Sequence, residues 1–389
     1  MSITIAADGL QQYNDAVPET TSSPPIYTDV RELNPEDIPA HESSKLPRRN
    51  SDHLSQQSQR GQRFLVYAYC VTTLNEAYST LAMKRRYEAW FVRLGLADGS
   101  GAWWFRYLLM NPGRSGCAGD PRGLPVQVWA TWFPAAGMPQ SFIQGFPLPG
   151  LNLSSRGQTP FRFAFVANAI AEDSCSGRLQ AEGHEIAWDL HYASTFRTTL
   201  SSKGWIGFSR TPHSDAVVAG QISFDGRKWA GDPLGFGVQG HNCGYRHRNF
   251  WKWTHAYFER PGASPSTFEA LVYEMPLGLV FRKCVLWHEG RRYVLRNLRQ
   301  TAFEPGALEW KFRCSGKDGL QLEAAIDGRG PGIHRLPYLK TDCSGTFDVL
   351  NNSLAGAALR LQHPGGHVEE LQTRRGAVLE FAGQAALLR

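Results

Sequence analysis

The chain has 389 residues, 42% hydrophobic and 20% charged, which is enough apolar surface for a large core and too much for a disordered polymer. Its formal net charge of +6 is mild for that length and lacks the basic excess of a dedicated nucleic-acid binder. The 21 Phe, 13 Tyr and 12 Trp, beside 39 Gly and 23 Pro, favour many short strands joined by tight turns.

Residues 1–63 are rich in Ser, Pro, Gln and acidic side chains and poor in aromatics, which predicts a flexible N-terminal arm. From Phe64 the texture changes, although FLVYAYCVTTLNEAY fits strand or helix equally. Next, two aromatic runs flank Asp98-Gly99-Ser100-Gly101, a hairpin signal. Strand candidates then follow at short intervals: PVQVWATWF, FRFAFVANAI, HEIAWDLHYAS and AVVAGQISFDG. Beyond Pro261-Gly262-Ala263-Ser264-Pro265 come FEALVYEM, LVFRKCVLWHEG, RRYVLRNLRQ, LEWKFRCSG, LQLEAAIDG and a closing pair. The pattern is all-β, and the Pro/Gly/Ser segment is the natural internal boundary, giving units of 64–260 and 261–389.

The seven cysteines are scattered and never spaced C-x-x-C, which reads as free thiols in a reducing compartment. No basic n-region with an apolar run opens the chain, and no apolar stretch has bilayer-spanning length. The expected location is cytoplasmic, with peripheral membrane contact left open for a membrane-borne substrate.

The densest chemistry lies in GHNCGYRHRNFWKWTHAYF, Gly240 to Phe258. Gly235-Phe236-Gly237-Val238-Gln239-Gly240 just before it matches G-x-G-x-x-G. A dinucleotide loop needs a helix after that motif, and the run that follows has strand character, so no cofactor is expected. His241, Cys243 and His247 lack clean zinc spacing, so no metal is expected either. Read as one extended strand, the run places Tyr245, His247, Asn249, Trp251, Trp253, His255 and Tyr257 on a single face. Aromatics and neutral hydrogen-bonding groups on one face suit the wall of a pocket for a hydrophobic small molecule.

These residues also carry a resemblance. Gly244-Tyr245-Arg246-His247-Arg248-Asn249, with Trp251 and Trp253, resembles the G-Y-x-D-H-N-W-G…W-x-W signature of the carotenoid 1,2-hydratase and tocopherol-cyclase-like superfamily. Tyr87-Glu88-Ala89-Trp90-Phe91 is similar to its Y-E-G-W-Y element, with Trp188-Asp189-Leu190 and AVVAGQISFDGRKWAG in order between them. The resemblance implies two lipocalin-like antiparallel β-barrels side by side and a deep apolar cavity. It also implies cyclisation, isomerisation or hydration of a double bond in an isoprenoid or polyketide-like molecule. Tyr245 and Asn249 match the signature, but His247 stands where the family has its acid and Arg248 where it has histidine. A histidine is a far weaker acid than a buried neutral carboxyl, so the proton source shifts elsewhere. Glu88, among aromatics, and Asp189, if it points inward, are the candidate acids beside His247, Tyr245 and Asn249. Trp90, Trp251, Trp253, His255 and Tyr257 are the candidate lining. A non-catalytic carrier of a hydrophobic ligand is the alternative.

Overall fold

Gly99 adopts φ +70°, in the left-handed region where glycine carries no steric penalty. The Asp98 carboxylate accepts the Ser100 N–H at 2.8 Å, and this turn joins strands Tyr87–Leu96 and Gly101–Met110 as a hairpin. In the computed structural model the described residues are 74–114, 116–117, 123–155, 157–201 and 207–383, and the predicted arm of residues 1–63 lies outside them. The hairpin sits within a twelve-stranded antiparallel sheet that curls into a half-barrel. A nine-stranded antiparallel sheet begins at Trp251, and eight of its strands close into a barrel through pairing of Gln321–Asp327 with Thr346–Gln362. The two sheets lie side by side.

Tyr87–Leu96 is buried on both faces. Glu88, Trp90, Val92 and Leu94 point into the half-barrel, where Trp90, Trp103, Phe105 and Trp188 form a core. The alternate residues meet the other barrel: Phe91 packs edge-on against Trp253, ring centres 5.6 Å apart. Arg93, 1% exposed, donates to the backbone carbonyls of Ser353, Arg375 and Ala377 on that barrel. Burial lowers its pKa to about 10. The closed barrel is itself filled, by Phe268, Trp310, Phe312 and their neighbours. A third apolar layer, including Phe91, Trp104, Trp253, Leu271 and Tyr338, therefore forms the seam between the sheets. Each fully buried aromatic there contributes on the order of 1.5–3 kcal/mol.

The glycines of G-x-G-x-x-G serve this packing. They lie inside strand Arg227–Gly244, where a Cβ on Gly237 would stand 1.8 Å from the Arg93 carbonyl oxygen. A Cβ on Gly240 would stand 2.2 Å from the Phe91 ring.

Three expectations change. The chain passes from one sheet to the other at residues 245–250, between Arg227–Gly244 and Trp251–Phe258. Residues 261–265 instead turn a hairpin within the second sheet, joining Trp251–Phe258 to Ser266–Glu274. Pro, Gly and Ser mark a tight turn and a linker alike, so composition does not separate the two. The predicted continuous strand over the aromatic run starts only at Trp251, because the chain bends at Tyr245, Arg246 and Asn249 in this crossover. Finally, Cys117 and Cys343 form a disulfide, with Cα atoms 5.4 Å apart and a sequence separation of 226. Free thiols are found at Cys175, Cys243, Cys284 and Cys314. Spacing cannot reveal a bridge between turns that only folding brings together. No helix among the described residues is long and apolar enough to cross a membrane.

Candidate functional site

A cavity of about 120 Å³ opens in the seam. One wall comes from the half-barrel through Tyr87, Ala89, Phe91, Trp104 and Arg106; the other comes from the nine-stranded sheet through Trp251, Trp253, Leu271, Tyr273, Tyr338 and Glu380. The walls are mostly aromatic because both sheets turn apolar outer faces toward each other here.

Glu380 stands out chemically. It lies on strand Val368–Ala382, 8% exposed, and accepts the Trp251 indole N–H at 2.8 Å and the Asn351 amide at 3.3 Å. Burial raises its pKa above the ordinary carboxyl value, against the opposing pull of the Trp251 bond and the Arg106 charge. No salt bridge to it forms among the described residues. Arg106 crosses from the other sheet, its guanidinium carbon 4.4 Å from the centre of the Tyr338 ring, and its Nη1 lacks a hydrogen-bond partner among the described residues.

His247 closes the cavity at the crossover. Its ring stacks on Tyr87 at 3.9 Å and 9°. Both ring nitrogens are buried without a hydrogen-bond partner among the described residues. Burial, and secondarily the Arg106 charge, lower its pKa to about 3, so the imidazole is neutral at physiological pH. Tyr87 is pushed by burial up to about 12 and stays a neutral phenol. Behind the cavity, Glu269 is 2% exposed and accepts the Trp253 indole N–H at 2.8 Å and the Thr211 hydroxyl. Burial raises its pKa to about 7.

Of the residues singled out from sequence, His247, Trp251 and Trp253 line the cavity. Tyr245 is 47% exposed under the Arg85 guanidinium, and Asn249 is exposed at the outer mouth. His255 and Tyr257 share the Trp253 face but lie further along it. There the His255 Nε2–H donates to the Ser214 carbonyl at 2.7 Å, and Tyr257 stacks on Phe236 at 5.1 Å. Glu88 and Trp90 point the opposite way, into the half-barrel. Trp90 stacks on His241 at 4.7 Å and on Phe161 at 5.1 Å. Glu88 accepts the Tyr78 N–H at 2.8 Å, the Ser79 N–H at 2.6 Å and His241 Nε2–H at 2.8 Å. Burial alone would raise its pKa, but the His241 hydrogen bond and charge outweigh it and the net shift is downward. Asp189 faces solvent, its side chain 62% exposed and 3.8 Å from His191.

Sequence reasoning missed Glu380, Arg106 and Tyr338. A lone acid in the apolar run AVLEFA was the available signal for Glu380.

Fold and site define a two-sheet, all-β protein with an aromatic-lined chamber in the seam. Among solved structures it is similar to kievitone hydratase from Nectria haematococca, at 11% identity and TM-score 0.49, covering 81% of this chain and 93% of that one. It is also similar to an AttH candidate from Nitrosomonas europaea, at 11% identity and TM-score 0.45, covering 82% of this chain and 98% of that one. No family model and no curated protein sequence matches the chain.

Proposed function

We propose that the protein is an acid–base enzyme that hydrates, cyclises or isomerises a hydrophobic small molecule at a double bond held in the seam cavity. The observation that carries this reading is Glu380, a carboxyl buried in an aromatic wall, with its pKa raised and no salt-bridge partner among the described residues. A neutral carboxylic acid there donates its proton to the alkene carbon. The π faces of Trp251 and Trp253 stabilise the developing cation. Water or an internal hydroxyl then adds, and the neutral His247 accepts the proton released from the new oxonium. A protonated ether or alcohol is a strong acid, so even a weakly basic imidazole takes that proton. Loss of a carbon-bound proton instead of addition gives isomerisation. No step calls on a cofactor.

The test is mass spectrometry of an organic extract from protein purified out of its native host. The expected result is a hydrophobe accompanied by its water adduct or isomer, with the second species lost in Glu380→Gln. A single hydrophobe, unchanged by that substitution, makes the protein a carrier instead.

A further inference from the structure

His247 stands between two chambers. The inner one is the aromatic seam; the outer one is a cleft that shares Arg246, His247 and Arg248 with it and adds Arg85, Arg335 and Lys340. Two of the five cations in the outer cleft are paired: Arg85 with Asp342 at 3.1 Å and Arg335 with Asp348 at 2.5 Å. Arg246, Arg248 and Lys340 have no carboxylate within salt-bridge distance among the described residues. The turn bearing Lys340 is held in place by the Cys117–Cys343 disulfide and by the Asn111 amide, which donates to the Thr341 carbonyl at 2.8 Å. A second, independent feature lies inside: Arg106 is 6% exposed, lines the inner chamber, and keeps Nη1 without a hydrogen-bond partner among the described residues. A buried cation with an open donor calls for an acceptor.

We infer that the ligand is an amphipathic organic anion, its hydrophobic body in the seam and its anionic headgroup among Arg246, Arg248 and Lys340. This rests on the proposal that the seam binds a hydrophobic molecule, and it adds the headgroup chemistry. The apolar body sits against Trp104, Trp253 and Leu271. Its polar atoms nearest the junction take the open donor of Arg106. The carboxylate, sulfate or phosphate end stays at the mouth, where two planar guanidinium groups and one ammonium meet it with charge-assisted hydrogen bonds. A neutral terpene of the same shape leaves those three cations unused.

A matched pair of dyes tests this on the full-length protein: 1-anilinonaphthalene-8-sulfonate and N-phenyl-1-naphthylamine, which differ by the sulfonate alone. Fluorescence titration is expected to show tighter binding of the sulfonate. That preference should fall as salt is raised and drop about tenfold in Arg246→Gln/Arg248→Gln, the sulfonate losing far more affinity than the neutral dye. Lys340→Gln should lower the preference in the same direction, and the thermal midpoints of the variants show that they are folded. Equal affinity for the two dyes in the wild type, or equal loss of both in the variants, overturns the headgroup assignment and leaves the acid–base proposal standing. If neither dye binds, the seam is not a hydrophobe site, and both readings go with it.

Discussion

Trp251 donates its indole N–H to the Glu380 carboxyl at 2.8 Å, between strands that pair side by side in the barrel wall. The bond aims a buried acid along the same wall as the aromatic residue that would stabilise a cation. It couples one residue of the aromatic run to another 129 positions later in the chain.

Glu380→Gln preserves the shape and the acceptor for Trp251 but has no acidic proton. Turnover of the extracted ligand should fall by about 10²–10⁴-fold. In the wild type the rate should fall as pH rises through the raised Glu380 pKa. His247, lowered to about 3, should contribute no limb between pH 5 and 8. A rising alkaline limb would reverse the assignment of roles.

Glu269 should leave a signature in stability. Its pKa is raised from 4.5 to about 7, so the folded state holds more protons than the unfolded state between those values. Stability from this group is therefore full below about pH 4.5 and is lost as pH rises to about 7, by roughly 3 kcal/mol at most. Glu269→Gln should gain thermal midpoint relative to wild type at pH 8 and not at pH 4. A difference that does not change with pH would mean the group titrates normally.

Glu88 is structural on this geometry. Removing its charge with Glu88→Gln leaves His241 without its ionic partner and loosens the hold on Tyr78 and Ser79. Urea unfolding should show a loss of about 3–5 kcal/mol. Because its pKa is lowered in the folded state, its contribution is present above the ordinary value of 4.5 and lost as pH falls. Dye binding in the seam should stay unchanged, since Glu88 points to the other face of its strand.

The disulfide links residues 226 positions apart and ties a turn of the half-barrel sheet to a turn of the nine-stranded sheet. In the chain-entropy model a loop of that order is worth about 5 kcal/mol. Cys117→Ser/Cys343→Ser should lower the urea midpoint, and reductant should do the same to the wild type alone. Non-reducing peptide mapping that recovers both thiols free would show that the bridge does not form in solution.

The all-β class and the Asp98–Gly101 hairpin were legible from composition and turn chemistry, as was the shared face of Trp251, Trp253, His255 and Tyr257. Each rests on a local property: strand propensity, a turn with φ above zero at Gly99, and the two-residue period of a strand. The same period could not say which way a face looks. Along Tyr87–Leu96 both faces are apolar, so nothing local distinguishes Glu88, which enters the half-barrel, from Tyr87, which enters the seam. Nor could it show that the closed barrel is filled, that the chamber lies between the sheets, or that the acid would come from Glu380. Those were decided by the packing of one sheet on the other, because residues distant in sequence share an environment only once the chain has folded.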